Sequence, residues 1–293
     1  MASAKTLRLI SERKLHELLP MCDEDSRLEA SGIVRVGSHY FIVCDDIGEI
    51  ARVDVDLKDR NSNGFLGGPY HTGFESIAFD PESNHFFLLV EAVKDDAGRN
   101  MAKVVECDAD LHRLGETWLE FPFDDTNRGF EGLAHLRRDG QEHLLALCEG
   151  NRCQGGKRGE KPGNGRIQVF QREGDRWNRV REIKLPKSVK FKDYAGMAIV
   201  DGQIAVVSQS SSRLWIGELD VTVWETSPGI VYDFPRTSAG KRKYGNVEGV
   251  CMLSDDCVVV VSDKRKKRQP KRQAKKDRSI HVFEVPDLHR GES

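Results

Sequence analysis

The chain has 293 residues, with 45 Lys and Arg against 47 Asp and Glu, a formal net charge of −2 and 38% hydrophobic residues. This is enough apolar content for one packed soluble domain spanning residues 1–293. No apolar run approaches the roughly 20 residues that cross a bilayer, which excludes a helical membrane protein.

In chain order, residues 6–15 (TLRLISERKL) read first as a strand, with an amphipathic helix around Ser11 to Leu19 as the rival reading. The first 20 residues lack the continuous apolar core of a secretory signal, so a cytoplasmic protein is expected. Seven Cys form no CxxC pair, and Cys44, Cys148, Cys251 and Cys257 lie in or beside apolar runs. They read as small buried thiols in a reducing compartment.

A short cassette then recurs five times: Ser31-Gly32-Ile33-Val34, Glu75-Ser76-Ile77-Ala78, Glu131-Gly132-Leu133-Ala134, Ala195-Gly196-Met197-Ala198 and Glu248-Gly249-Val250-Cys251. Successive cassettes start 44, 56, 64 and 53 residues apart, a period that belongs to propellers and solenoids. Each cassette opens a strand. Tight turns containing Gly37-Ser38, Pro81 to Asn84, Asp139-Gly140, Asp201-Gly202 and Ser254-Asp255 follow. Second strands come next, HYFIVCDD, HFFLLVEA, HLLALCEG, QIAVVSQS and DCVVVVSD, whose apolar runs suit burial on both faces. Third strands alternate (EIARVDVD, AKVVECDAD, RIQVFQRE, RLWIGELD, SIHVFEV), and weaker fourth strands appear at 117–123, 179–186 and 229–235. The fifth repeat stops after its third strand, so the N-terminal strand is expected to complete it. The fold class is all-β, a five-bladed β-propeller of four-stranded blades whose ring is closed by an N-terminal strand.

In a propeller the first strand of each blade lines the central channel. Ser31, Glu75, Glu131, Ala195 and Glu248 should therefore meet at one mouth. Asp45, Glu91, Glu149, Gln209 and Asp263, which end the second strands, should form a wider ring around them. Converging carboxylates repel one another and lose hydration, and a hard divalent cation is the simplest compensation. The donors are all oxygen, which favours Ca²⁺, with Mg²⁺ second, over Zn²⁺. The alternative is that these residues recur only because the blade recurs.

The order Ser31, Glu75, Glu131, a small residue, Glu248 resembles the SdiA-regulated propeller family, grouped with esterase-like phytase propellers. Gly129-Phe130-Glu131-Gly132-Leu133-Ala134 and Glu248-Gly249-Val250 carry the resemblance, which runs over residues 26–286. The order is also similar to the channel ligands of five-bladed calcium-activated nucleotidases. The resemblance implies a Ca²⁺-binding propeller with Ser31, Glu75, Glu131 and Glu248 as metal ligands. The match stops at Ala195, where that order has Ser.

Residues 264–278 (KRKKRQPKRQAKKDR) hold ten Lys or Arg and one Asp, leaving 35 basic and 46 acidic residues elsewhere. This basic, mobile loop joins strands two and three of the last repeat, on the face of the acidic rings. The loops leading into the first strands add Arg27, His71, Arg128, Lys192 and Lys243. A cationic rim around an acidic mouth suits a small anionic, phosphorylated ligand. Nucleic acid is not expected, because no aromatic residues interleave the charges. Neither a HExxH pair nor a GxSxG elbow occurs.

The expected function is a metal-dependent phosphoester hydrolase or a binder of a phosphorylated ligand, acting as a monomer. Glu149 and Asp263 are the candidate bases; Asp45, Glu91, Gln209, Arg128, Lys192 and Lys264 are the candidate substrate contacts. The alternative is a non-catalytic binding propeller with a structural ion.

Overall fold

Each cassette opens the innermost strand of a four-stranded antiparallel blade, and five blades surround a channel as a five-bladed propeller, with Lys5–Thr6 and Glu225–Thr226 added to the sheet of the fourth. The structure is a computed structural model that describes residues 5–58, 61–67, 73–124, 128–254 and 256–286, without the side chain of Ala92. His71 and the turn residue Asp255 lie outside the described residues. Blade 1 comprises Ala30–Val36, His39–Cys44, Ile47–Asp54 and Gly64–Leu66. Blade 2 comprises Phe74–Asp80, His85–Lys94, Asn100–Cys107 and Arg113–Trp118. Blade 3 comprises Phe130–Arg138, Gln141–Cys148, Arg166–Glu173 and Arg176–Lys184. Blade 4 comprises Gly196–Val200, Gln203–Ser208, Arg213–Asp220 and Ile230–Asp233. Blade 5 takes Val247–Ser254, Cys257–Ser262 and Ser279–Glu284 from the C-terminal end and Arg8–Lys14 from the N-terminal end.

The second strands carry the core. Leu144, Leu145, Ala146, Leu147 and Val258 to Val261 have no exposed surface, because a neighbouring blade covers each face. Burying each larger aliphatic side chain contributes about 1.5–3 kcal/mol. The Asp-Gly turns behave as their chemistry dictates: Asp139 and Gly140 have φ of 51° and 73°, and Asp201 and Gly202 have 49° and 79°. Two successive positive φ angles match the twist of the hairpins they close.

The fourth strand of blade 2 is Arg113–Trp118, not the expected 117–123. Downstream of it, Phe121 and Phe123 turn inward onto Phe130, with ring centroids 5.6 and 4.8 Å away. Edge pairing continues only at single points, Leu119 N–H to the Ala102 carbonyl at 2.9 Å and Phe123 N–H to the Asn100 carbonyl at 2.8 Å, and ring packing supplies the remaining contact. The rival helix near the N-terminus is one turn, Leu15–Leu18, which buries Leu15 and Leu18.

The cassette's second residue explains why it is always small. A Cβ on Gly196 would lie 2.1 Å from the Glu248 carbonyl oxygen, on Gly32 2.7 Å from Ser76 Cα, and on Gly132 2.9 Å from the Met197 nitrogen. At this level the inner strands of neighbouring blades touch backbone to backbone. Gly196→Ala should therefore lower stability by about 2 kcal/mol or more, since neither backbone can retreat without moving a blade. A thermal unfolding curve matching the wild type would contradict this waist.

Closure of the ring rests on a buried clasp. Lys5–Thr6 runs parallel to the last strand of blade 4, and Arg8–Lys14 pairs antiparallel with Ser279–Glu284. The Glu12 carboxylate accepts from Lys276 Nζ and faces His281 Nδ1 at 3.2 Å, while His281 Nε2 lies 3.1 Å from Ser262 Oγ. The order serine, histidine, carboxylate resembles a nucleophile triad. Ser262 is 1% exposed and His281 fully buried, so the group joins strands and reaches no substrate. The His281 contact, helped by Lys276, holds the Glu12 carboxyl down at about 2. A depressed carboxyl stabilises the fold above the ordinary glutamate range, and that contribution is lost as pH falls towards 2. Glu12→Ala should cost about 1–3 kcal/mol in urea unfolding at neutral pH, because it strands a buried imidazole. An unchanged midpoint would show that the clasp contributes nothing.

Candidate metal centre

At one end of the channel lies a cavity of about 230 Å³ bordered by nine carboxylates, Gln209, Tyr194, Ala195 and a single cation, Lys266. Glu75, Glu131 and Glu248 enter it from the first strands of blades 2, 3 and 5, as the repeat predicts. Asp45, Glu91, Glu149, Gln209 and Asp263 enter it from the second strands or the residues just beyond them. One backbone bond, repeated in four blades, sets this second ring. The N–H groups of Asp45, Glu91, Glu149 and Asp263 donate to the carbonyls of Glu29, Gly73, Gly129 and Asn246, each two residues before a cassette.

Ser31 does not border the cavity. Its hydroxyl donates to the Phe74 carbonyl of the next blade, with the Val43 carbonyl 3.3 Å away. The two blades without a cassette glutamate instead supply an acid two residues earlier, Glu29 in blade 1 and Asp193 in blade 4. Sequence reasoning missed both, although the corresponding positions of the other blades, Gly73, Gly129 and Asn246, carry no charge. Asp193 is anchored by Ser208 Oγ at 2.6 Å and by the Ser210 N–H at 3.0 Å.

Two of the cations expected at the rim pair with carboxylates of the cavity without lining it themselves. Arg128 donates to Glu149 Oε1 at 3.0 Å, Lys264 Nζ lies 3.6 Å from Glu29 Oε1, and Lys192 is exposed beyond the lining. The basic segment 264–278, expected as a mobile loop, is held at several points. Lys14 Nζ donates to the Ala274 carbonyl and Asp277 Oδ1 at 2.8 Å each, Gln269 Nε2 donates to Asn246 Oδ1, and Lys271–Lys275 forms a 3₁₀ turn.

The electrostatics follow from burial and crowding. Glu131 is pushed well above the ordinary range by burial and then by Glu75, Glu149 and Glu248. Burial and Glu91 raise Glu75 to about 8; burial and Asp263 raise Glu248. Burial lifts Glu149 to about 7 against the pull of Arg128, and Asp263 to about 7 against its hydrogen bond from the Lys264 N–H. Asp45 rises to about 6 through burial and Glu29. Asp45 Oδ1 and Glu149 Oε2 are buried with no hydrogen-bond partner. Unpaired buried carboxylate oxygens are costly, and a hard cation is the partner that suits them.

The ring is wide. Among the described residues, the one group of three or more acidic, histidine or cysteine ligands with donor atoms within 4.8 Å of one another is Asp80, His135 and Glu142, near the opposite face. There Arg137 donates to Asp80 Oδ2 at 2.6 Å and to Glu142 Oε1 at 3.2 Å, so an internal cation already balances the acids. In the carboxylate ring the oxygens stand too far apart for direct contact with one ion from every side. An ion there would take part of its shell from water.

Cys148, expected as a free thiol, is joined to Cys153. The bond brackets Glu149 and removes one support for the expected reducing compartment. Cys44 and Cys251 are buried free thiols, as expected. Among the described residues no helix is long and apolar enough to cross a membrane.

Propeller-type enzymes are among the solved structures of similar shape. A glutaminyl cyclase of Myxococcus xanthus matches with TM-score 0.54 and 13% identity, over 97% of this chain and 99% of that one. The PQQ-bound aldose sugar dehydrogenase of Streptomyces coelicolor gives 0.51 and 13%, over 94% and 98%. A GH43_1 enzyme of Xanthomonas citri gives 0.51 and 11%, over 88% of each chain. The chain has the β-propeller fold. At these identities the likeness concerns the fold alone. No family model and no curated protein matches, so the comparisons add nothing to the SdiA-regulated resemblance.

Proposed function

We propose that the acidic chamber holds a Ca²⁺ ion, with Mg²⁺ as the weaker fit, and that the ion and the basic rim together take a small phosphorylated ligand. The observation that carries this reading is nine carboxylates around 230 Å³, two of them with orphaned buried oxygens, against the lining ammonium of Lys266 and the ion pairs of Arg128 with Glu149 and Lys264 with Glu29. Glu75, Glu131 and Glu248 are the inner carboxylates and reach the ion partly through water. Asp45 and Asp193 border the same space, and water completes the shell. Ser31, a ligand by family resemblance, serves instead as an inter-blade hydrogen bond in this reading. A bound ion would polarise a phosphate oxygen and acidify a bound water. Glu149 and Asp263, both lifted to about 7, have the basicity expected of a general base at neutral pH. Lys266, the cation on the cavity lining, is the one best placed to meet the phosphate, with Arg128, Lys192 and Lys264 as further contacts in this reading. The resemblance to SdiA-regulated, phytase-like propellers points the same way, and in this reading the protein works as a monomer in the cytoplasm.

A screen of nucleotides, phytate and simple aryl phosphates with added Ca²⁺ tests the catalytic part. The expected result is turnover of at least one of them, lost on chelation and in Glu131→Gln. Ca²⁺ binding without turnover of any would favour the second reading, a binding propeller with a structural ion, for which the tie between Arg128 and Glu149 speaks.

A further inference from the structure

The other end of the channel is a chamber of a different character. It has a volume of about 280 Å³ and is lined by the third cassette residues, Ile33, Ile77, Leu133, Met197 and Val250, and by those that follow them. It shares no lining residue with the acidic cavity. In four blades the one residue between the two sets is the small one at the waist, and in blade 1 Ala30, Ser31 and Gly32 separate them. The channel is thus two back-to-back sites, not one pore.

Protein interiors close up to crystal-like density, and voids larger than a water molecule are few. Here the void is kept open by residue choice: the fourth cassette position is Ala78, Ala134, Ala198 and Cys251 in four blades. Apart from Arg35 and His135 the side chains on its wall are aliphatic, aromatic or sulfur-bearing, while exposed backbone groups add polar surface where water can sit until an alkyl chain displaces it. The charged or imidazole side chains on the lining are Arg35 and His135. His135 is taken up by Asp80 and Glu142, at 3.7 and 3.5 Å. Arg35 is exposed, its Nε donates to the Gly37 carbonyl at 3.0 Å, and among the described residues it forms no ion pair. Val200, 40% exposed, continues the apolar wall to the mouth.

We propose that this chamber binds a medium-length alkyl carboxylate, with the chain inside and the carboxylate on Arg35. An apolar cavity of roughly 150 Å³ accommodates benzene, so 280 Å³ suits a flexible chain of about ten carbons. The anionic head follows from Arg35, among the described residues the one lysine or arginine on this lining and one without an ion pair, whose guanidinium can meet a carboxylate with two parallel N–H groups. The site is independent of the cation reading, and each can fail without the other.

Equilibrium dialysis of the full chain with octanoate, decanoate and dodecanoate tests it. Saturable binding of one molecule is expected, tightening about fourfold per added methylene until the chamber is full. Ala198→Phe should weaken decanoate binding at least tenfold with an unchanged melting temperature and Ca²⁺ response; Val34→Phe serves if that variant does not fold. Arg35→Gln should weaken decanoate about tenfold and leave 1-decanol unchanged. No saturable binding of any chain length would overturn the proposal. So would decanoate binding unchanged by folded chamber-filling variants, or an Arg35→Gln that affects acid and alcohol alike.

Discussion

Glu131→Gln should make the metal-free protein more stable and at the same time reduce Ca²⁺ affinity at least a hundredfold. Both signs come from one environment. Glu131 is surrounded by Glu75, Glu149 and Glu248 and withdrawn from bulk water, so its charged form is disfavoured without a cation. The neutral amide removes that penalty, worth about 1–3 kcal/mol at pH 8. A glutamate that only bonded neighbouring backbone N–H groups would behave in the opposite way, losing stability on neutralisation. Thermal melts of wild type and variant in EDTA, paired with Ca²⁺ titrations, separate the two. A variant less stable than wild type without metal would remove Glu131 from the ion site.

Metal-free protein should lose stability as pH rises from 5 to 8, the reverse of most carboxylate effects. Glu75, Glu149, Asp263 and Asp45 have folded pKa values of about 8, 7, 7 and 6, all above their ordinary values. A raised carboxyl binds its proton more tightly in the folded state. Its stabilisation is complete below the ordinary carboxylate range and disappears as pH climbs through the folded value. The four together amount to about 3 kcal/mol or more between pH 5 and 8, after discounting for mutual coupling, partial exposure and the opposite contribution of His135, His143 and His281, which burial holds below the ordinary histidine value. That corresponds to a fall of roughly 5–10 °C in Tm for a chain of this size. Saturating Ca²⁺ should flatten the curve, because the ion replaces the protons, and binding at pH 7 should release protons to the buffer. A metal-free Tm that climbs over this interval would contradict the electrostatic account of the cavity.

Much of this was legible in the chain because symmetry wrote it five times. The cassette's first residue points to the mouth, and the small residue after it is required wherever two inner strands touch, as at Gly32 and Gly196. The repeat alone makes the mouth position readable. The small residue passes for a turn glycine until the neighbouring blade is placed against it. Buried inner-middle strands announced themselves as apolar runs. The outermost strands did not, because half-exposed segments such as Arg113–Trp118 carry little periodicity. Glu29 and Asp193 escaped notice because they sit in loops ahead of the repeat, where no strand pattern fixes position. Ser31 was misplaced for the converse reason. It occupies an equivalent point in sequence, but a hydroxyl is short enough to satisfy the adjacent Phe74 carbonyl instead of reaching the mouth. Lys266 is one of ten cations in its segment and nothing local distinguishes it. The clasp of Glu12 with His281, 269 residues apart, depends wholly on ring closure.

The most direct test of the cation site is calorimetric titration of the metal-free wild type with Ca²⁺ at pH 7.5, in two buffers of different protonation enthalpy. One saturable site is expected, with an apparent enthalpy that differs between the buffers because protons leave the carboxylate ring. A flat titration up to millimolar Ca²⁺ in both buffers would contradict the assignment of the acidic chamber as a metal centre.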